Sequence, residues 1–169
     1  MRGAVSGGPS AGPENDTRAT KEPLRLWLRA LSFASMVERR VRSRLHVDFD
    51  VTLPRFDVMA ALYDAPAGLS MGEVSRRLMV SNGNVTGIVE RLDRDGLVWR
   101  RTNPEDRRSQ LVRLTDSGRT TFEGMAEAHE GWISAMLSDL SEEEVEQLKY
   151  LLGKAKQSVV NSDGKEEYR

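Results

Sequence analysis

The chain has 169 residues, 38% of them hydrophobic, which is enough for one domain with a buried core. It contains no cysteine, so disulfides, thiolate zinc sites, cysteine nucleophiles and cysteine-based redox sensing are excluded. No apolar run approaches the ~20 residues that a membrane-spanning helix needs, and no membrane partner is expected.

The formal net charge is -1, but the charge is unevenly placed along the chain. Residues 21–46 hold seven Lys or Arg against two acids, and residues 76–113 hold nine Arg against five acids. Local potential can hold phosphate even on a nearly neutral protein, so both segments are candidates for nucleic-acid contact. A solvated helix face is an equally good interpretation of residues 21–46.

Residues 1–20 are rich in Gly, Pro, Ala, Ser and Thr, which predicts a disordered tail. This segment resembles neither a secretory signal nor an amphipathic transit peptide, and we expect a cytoplasmic protein. The first predicted helix covers residues 24–46, with apolar side chains on one face and arginines around them. A hinge at residues 49–53 precedes a second helix, for which Pro54 is a suitable first residue and which ends at Tyr63.

After a turn at residues 64–69, the pattern indicates two short helices in close succession. Ser70 caps the first, residues 71–78, and Glu73 completes a capping box with it. Ser81 caps the second. The apolar residues of that second helix follow at helical spacing and predict its buried face: Val85, Ile88, Val89 and Leu92.

Two strand-like runs, residues 97–102 and 110–114, enclose an arginine-rich tip that begins with Asn103 and Pro104. An arginine over a narrow minor groove is favoured by the negative potential there, and a neighbouring aspartate can brace it. Helix, turn, helix and basic hairpin form the layout of a winged helix-turn-helix, which reads duplex DNA. The predicted fold is therefore mainly α with a small β-wing, its winged-helix core spanning residues 54–115.

Small polar residues begin the second of the two short helices, where they suit the floor of the major groove. Asn pairs bidentately with adenine, and Ser or Thr donates to bases or phosphates. Gly83 and Gly87 cost roughly 1 kcal/mol each relative to Ala, which indicates close approach of DNA to the backbone; a simple turn at Asn82-Gly83 is the alternative. The predicted DNA-binding residues are Ser81, Asn82, Gly83, Asn84, Thr86, Arg91, Arg101, Asp106, Arg107 and Arg108.

Two long helices are predicted over residues 116–160, and Ser141 with Glu144 repeats the capping box before the second of them. Their apolar stripes exceed the needs of a small DNA-binding module. We expect them to pack with the helix at residues 24–46 and with their copies in a second chain. A homodimer places two recognition helices about 34 Å apart, which suits a near-palindromic site in double-stranded DNA. Residues 161–169 are predicted to be a flexible C-terminus.

The segment SRRLMVSNGNVTGIVERLDRDGLVWRRTNPEDRRSQLVRLTDSG resembles the MarR family of bacterial dimeric transcription regulators, and the resemblance extends over residues 24–160. DRRSQLVRLT followed by DSG is similar to the family's aspartate-any-arginine wing signature. The resemblance implies that Asp106 and Arg108 are the wing pair, with Arg108 entering the minor groove. It also implies six helices with the wing between the fourth and fifth, and terminal helices that form the dimer. The implied activity is repression of a nearby operon. Repression is relieved when a small molecule binds between the dimerisation and DNA-binding regions.

The string MVSNGNVTG, after LPRFDVMAAL, resembles a subgroup associated with aromatic-compound catabolism, whose members respond to hydroxycinnamoyl-CoA thioesters. A CoA ligand brings phosphates for arginines and a ring or acyl chain for an apolar cleft. The predicted ligand-binding residues are Arg25, Trp27, Arg29, Met59, Tyr63 and His129. Two alternatives remain: a free phenolic or aromatic acid as effector, and a Trp27 that belongs to the dimer core with surface arginines beside it.

Enzymatic activity is not expected. The two histidines, His46 and His129, lack partners at metal-ligand spacing, and the chain has neither a Gly-rich phosphate loop after a strand nor a serine elbow. Asp57 and the other aspartates near the hinge are interpreted as solvated. No catalytic residue, metal or cofactor is predicted. A winged-helix module used for protein contact is the other alternative, although it gives no reason for an arginine-tipped wing.

Overall fold

The structure is a computed structural model that describes residues 21–102 and 110–166. Within these residues the chain forms six α-helices and three β-strands. The helices are α1 (Glu22–Phe49), α2 (Leu53–Tyr63), α3 (Met71–Leu78), α4 (Asn82–Arg94), α5 (Asp116–Met136) and α6 (Glu142–Glu166). The strands are β1 (Leu69–Ser70), β2 (Val98–Thr102) and β3 (Gln110–Leu114). The predicted fold class, mainly helical with a small wing, is confirmed.

The three strands form an antiparallel sheet in the order β1-β3-β2. In the β2–β3 hairpin Val98 lies opposite Leu114 and Thr102 lies opposite Gln110. Strand β1 was not predicted, because Leu69 was assigned to a turn and Ser70 to a helix cap. It pairs Leu69 with Val112 and so attaches the start of α3 to the wing.

Capping boxes begin two helices, as predicted. The Ser70 amide donates to Glu73 Oε2 at 2.7 Å, and the Glu73 amide donates to Ser70 Oγ at 3.3 Å. The Ser70 hydroxyl also donates to Glu73 Oε2 at 2.7 Å. This bond is the largest cause that lowers the pKa of Glu73 from its ordinary value, and the bond from the Ser70 amide is the second. Ser141 and Glu144 exchange the same two bonds at 2.8 and 3.2 Å before α6.

A single buried cluster is formed by the C-terminal half of α1, by α2 to α5 and by the sheet. Its completely buried members are Leu45, Val58, Met59, Val74, Val85, Val89, Leu92, Val112 and Met125. Among the described residues, none from α6 belongs to this cluster. The helix-turn-helix and the wing are therefore one packed unit, and α6 lies outside it.

Some boundaries differ from those predicted. Helix α1 runs from Glu22 to Phe49, and α6 continues to Glu166, past the boundary predicted at residue 160. The tail at residues 1–20 lies outside the described part of the chain. Within the described part, no helix combines the length and the hydropathy that crossing a membrane requires.

The start of α5 is fixed against the turn between α4 and β2. The Thr115 amide donates to the Leu97 carbonyl at 3.0 Å, and the Thr115 hydroxyl donates to the Gly96 carbonyl at 2.7 Å. The same hydroxyl accepts the Gly118 amide at 2.9 Å and so caps α5. A Cβ atom at Gly118 would overlap the Leu97 carbonyl oxygen, so this contact requires glycine.

We expect Gly118→Ala to lower the free energy of unfolding by about 1–3 kcal/mol, because the Leu97 backbone has to move away. Gly124 is the matched control in the same helix, since a Cβ atom there meets nothing within 4 Å. Gly124→Ala is expected to raise the free energy of unfolding by about 0.5–1 kcal/mol through helix propensity. Urea unfolding followed by circular dichroism at one protein concentration measures both changes. If the free energy of unfolding changed in the same direction in both variants, position 118 would not differ from position 124 in its requirement for glycine.

Candidate nucleic-acid interface

Helix α4 has two chemically different faces. Val85, Val89 and Leu92 have no exposed surface and pack into the core beside α2 and α3. The opposite face is exposed and carries small residues: Ser81, Gly83, Asn84, Thr86 and Gly87. The buried stripe confirms the predicted inner face, and the small residues leave room for another molecule to approach the helix backbone.

Ser81 occupies the N-cap position of α4, where its carbonyl accepts the Asn84 and Val85 amides at 3.1 and 3.2 Å. Its side chain makes no capping hydrogen bond. The hydroxyl is exposed and is therefore available to an external acceptor or donor. Asn82 is the first residue of α4, which excludes the alternative of a simple turn at Asn82-Gly83. The side chain of Asn82 lies outside the described part of the structure.

Gly83 and Gly87 are not required by packing within this chain, because a Cβ atom at either position would meet nothing within 4 Å. Both line an open groove of about 700 Å³ beside α4. Arg42 of α1, Arg55 of α2 and Arg91 of α4 also line this groove. Among the described residues, Arg91 alone of these three forms no ion pair, so the glycine surface beside its guanidinium group suits a polyanion that approaches the helix closely.

Sequence reasoning identified Arg91 but missed Arg42 and Arg55. The missed residues lie on two other helices, and no local pattern indicates that these helices meet beside α4. Arg42 forms an exposed ion pair with Glu38 one turn earlier in α1. Arg55 instead forms an ion pair with Asp95, the residue that ends α4.

Two ion pairs hold the last turn of α4 in position. The Arg55 side chain is only 18% exposed, and its pair with Asp95 ties α4 to α2. Arg100 Nε lies 3.0 Å from Asp93 Oδ2, which ties α4 to β2 of the wing. The orientation of α4 relative to the core and the wing therefore depends on two charged contacts as well as on apolar packing.

Arg101, predicted to contact DNA, is exposed on the wing, with its guanidinium carbon 4.6 Å from the centroid of the Trp99 ring. The three residues predicted at the wing tip, Asp106, Arg107 and Arg108, lie outside the described residues and stay predictions.

The six predicted ligand-binding residues fall in two regions. Trp27 and Arg29 line a largely apolar groove of about 530 Å³ between α1 and α6, beside Leu148 and Leu152. Arg25 is exposed, with Nη1 2.7 Å from Glu22 Oε1 in the first turn of α1.

The other three predicted ligand residues lie between α2 and α5. Met59 is completely buried in the core, which leaves it no surface on a cleft of one protomer. The Tyr63 hydroxyl donates to Glu123 Oε1 at 3.0 Å. The half-buried His129 ring lies 5.1 Å from the Phe56 ring.

Asp57 is half-buried beside this aromatic group, and its interpretation as a solvated residue was wrong. Burial is the main cause that raises the pKa of Asp57, and the negative charge of Glu38 raises it further. His129 has the opposite effect on this pKa. Sequence reasoning missed this polar group because the approach of α1, α2 and α5 decides its burial.

Comparison with known proteins was consistent with this geometry. A family model described as MarR family matches residues 49–109. The HTH-type transcriptional regulator PecS of Dickeya dadantii is 31% identical over 143 residues, 83% of this chain and 86% of PecS. The transcriptional activatory protein BadR of Rhodopseudomonas palustris is 34% identical over 76% of this chain and 75% of BadR.

Among solved structures, a mutant MarR from E. coli complexed with operator DNA superposes with a TM-score of 0.70. It is 27% identical in sequence, and the match covers 80% of this chain and 96% of that one. The relatives and the fold are those of transcription regulators and not of enzymes.

We predict that Asp95→Asn lowers the free energy of unfolding by about 1–2 kcal/mol, because the mostly buried Arg55 loses its carboxylate. It should also weaken DNA binding, since α4 loses one of its two charged attachments. Glu22→Gln is the control, because it removes an exposed ion pair whose contribution is about 0.5 kcal/mol or less. Thermal melting and anisotropy with a labelled duplex measure the two effects. If the two variants behave alike, the Arg55 pair has no special role.

Proposed function

We propose that this chain, which belongs to the MarR family of DNA-binding transcriptional regulators, is a cytoplasmic, homodimeric repressor. In this proposal an aromatic effector releases it from DNA. The observation that carries the proposal is the exposed polar face of α4, held against the core by its buried apolar stripe. In this proposal α4 enters the major groove of a near-palindromic operator, and the wing contacts the neighbouring minor groove.

Individual roles follow from side-chain chemistry. Asn84 is exposed and can pair with an adenine edge, while the Ser81 hydroxyl can reach a base or a phosphate. Arg91 lines the groove beside Gly83 and Gly87 and is placed to neutralise a phosphate. The absence of side chains at the two glycines lets the helix backbone approach the duplex.

A homodimer is supported by apolar surface on α1 and α6. Trp27 is 59% exposed and Leu152 is 50% exposed, and the two residues line the same groove. Other exposed apolar residues of these two helices are Leu24, Leu26, Leu28, Leu31, Phe33, Met36, Leu148, Leu151, Val159 and Val160. Apolar surface of this extent is characteristic of an interface with another protein. A second copy also supplies the second recognition helix that a palindromic site needs.

We expect the protein to sediment as a dimer and Leu152→Glu to shift it toward monomer at the same concentration. Removal of a leucine from an apolar interface lowers the free energy of association by about 1.5–3 kcal/mol, and burial of a carboxylate in its place lowers it further. Gln147→Glu adds the same charge to the same helix outside the apolar groove and should leave the dimer intact. A wild-type monomer, or a dimer that survives Leu152→Glu, would rule out this interface.

For the effector we propose an aromatic acyl-CoA thioester, such as a hydroxycinnamoyl-CoA, and control of an aromatic catabolic operon. Trp27 belongs to the proposed dimer interface, so α1 offers such a ligand the guanidinium groups of the exposed Arg25 and Arg29. The cluster of Phe56, Asp57 and His129 offers polar groups among aromatic rings. A ligand that extends from an aromatic head to a phosphorylated tail suits two such regions better than one compact acid does.

A free phenolic or aromatic acid is the second candidate, and His129 is the observation that favours it. The ring is half-buried, 5.1 Å from Phe56 and 6.4 Å from Trp132, so it can hold a carboxylate or a phenol between aromatic neighbours. That the protein represses and does not activate transcription is also a proposal, because BadR, which is similar in sequence, is named a transcriptional activatory protein.

We expect labelled DNA from upstream of this protein's own gene to bind tightly, and steeply less tightly as salt rises. Fluorescence anisotropy during titration with p-coumaroyl-CoA, and separately with p-coumaric acid, measures release. Release by the thioester alone supports the proposed effector class. Release by the free acid favours the second candidate. Binding that neither compound changes discards both ligands and keeps the DNA-binding assignment.

Arg25→Gln and Arg29→Gln provide the control for this titration. Both residues lie on α1, away from α4, so DNA affinity should be retained. If they hold the CoA phosphates, more thioester is needed for release. An unchanged thioester response excludes these two arginines as phosphate ligands.

A further inference from the structure

The outer face of the wing carries an aromatic ring that contacts two arginines. Strand alternation places Trp99 and Arg101 of β2 on this face, and Arg113 of β3 lies directly opposite Trp99. The guanidinium carbons of Arg101 and Arg113 lie 4.6 and 5.3 Å from the centroid of the Trp99 ring. Both arginines are exposed, and the indole is half-buried.

Gly68 supports this arrangement from the adjacent chain segment. A Cβ atom there would lie 2.6 Å from Arg113 Cγ and 2.9 Å from Leu111 Cγ, and φ at Gly68 is +97°. The aliphatic part of Arg113 therefore passes directly over a glycine. Its charged end is directed onto the Trp99 ring by packing, and no carboxylate of the described residues pairs with it.

The two successive arginines of β2 have different environments. Arg100 faces the other side of the sheet, where Asp93 lies 3.0 Å from its Nε. Within residues 21–102 and 110–166, no carboxylate forms an ion pair with Arg101 or Arg113. Both guanidinium groups carry a positive charge at one ring, so anions are favoured at this position.

The position of Arg101 indicates which anion this is. It lies one pair below Thr102 and Gln110, the last pair that the structure describes before the wing tip predicted at residues 103–109. Where a wing tip enters a minor groove about 6 Å wide, the strands below the tip pass the sugar-phosphate walls of that groove. A guanidinium group at this level of the hairpin meets a phosphodiester.

We propose that Arg101 and Arg113 each bind a backbone phosphate of DNA and that Trp99 is the positioning residue that holds both guanidinium groups. The inference rests on the proposed DNA-binding role of the wing and adds Arg113 and Trp99 to it. Stacking on the indole limits the orientations of each arginine before DNA arrives, so less freedom is lost on binding.

The test is anisotropy with a labelled duplex of about 30 base pairs at several KCl concentrations, because phosphate contacts act on any sequence. Arg113→Gln should reduce the slope of log K against log salt by about 0.9 for each wing, or roughly 1.8 for a dimer. Arg119→Gln is the matched control, since this arginine also lies 4.6 Å from an aromatic ring, that of Tyr63 on α2, away from the wing. Its slope should equal that of the wild type.

Trp99→Leu retains both charges and should weaken binding about three- to tenfold, whereas Trp99→Phe should restore most of the affinity. Adding Arg101→Gln should cost less in the Trp99→Leu background than in the wild type, because both changes remove the same oriented contact. Thermal melting confirms that each variant is folded.

Two results would overturn the proposal: an Arg113→Gln slope equal to that of Arg119→Gln, or independent effects of Trp99→Leu and Arg101→Gln. Failure of the wild type to bind any duplex in a salt-dependent way would instead contradict the proposed function itself. The two failures are therefore distinguishable in one series of titrations.

Discussion

The burial of one stripe of α4 is the constraint on which the DNA-binding surface depends. Val85, Val89 and Leu92 have no exposed surface, so rotation of the helix about its axis would expose them and break the core. Burying three such side chains contributes on the order of 5 kcal/mol, far more than any polar contact on the other face. The exposure of Asn84 and of the two glycines follows from this packing. Apolar burial therefore determines which groups are presented on the exposed face of α4.

Charge in this protein is divided between holding the structure and meeting a ligand. Arg55 and Arg100 form ion pairs within the chain, with Asp95 and Asp93 at the last turn of α4. Arg91 and Arg101 have no such carboxylate partner within the described residues. Net charge is a poor guide to this division, because the same side chain attracts phosphate only where no carboxylate already neutralises it. A formal net charge of -1 is thus compatible with a strongly cationic DNA-binding surface.

Local pattern was sufficient for the fold but not for the way helices meet. Capping residues and apolar spacing predicted α3, α4 and the hairpin, since each depends on neighbours within a few positions. Strand β1 was missed because two residues carry no periodicity, and its pairing depends on a partner more than forty positions away. Arg55 and Asp57 were missed for a related reason. Spacing along α2 shows which residues share a face, but the helix that covers this face is determined by tertiary packing.

Helix α1 connects the apolar surface proposed for dimerisation with the core that carries the proposed DNA-binding helix. Its C-terminal half contributes Val41 and Leu45 to the core, whereas its N-terminal half exposes Trp27 and Leu31. At about 1.5 Å per residue, its 28 residues span roughly 42 Å in one uninterrupted helix. Because α1 packs against α2 and α5, a change of angle at its exposed end would reach both helices, and through the Arg55 pair it would reach α4. In a dimer joined at that end, a ligand that favours a different angle changes the separation of the two recognition helices. Because two successive major grooves accept only one separation, a shift of a few ångströms is enough to favour the free state over the bound one.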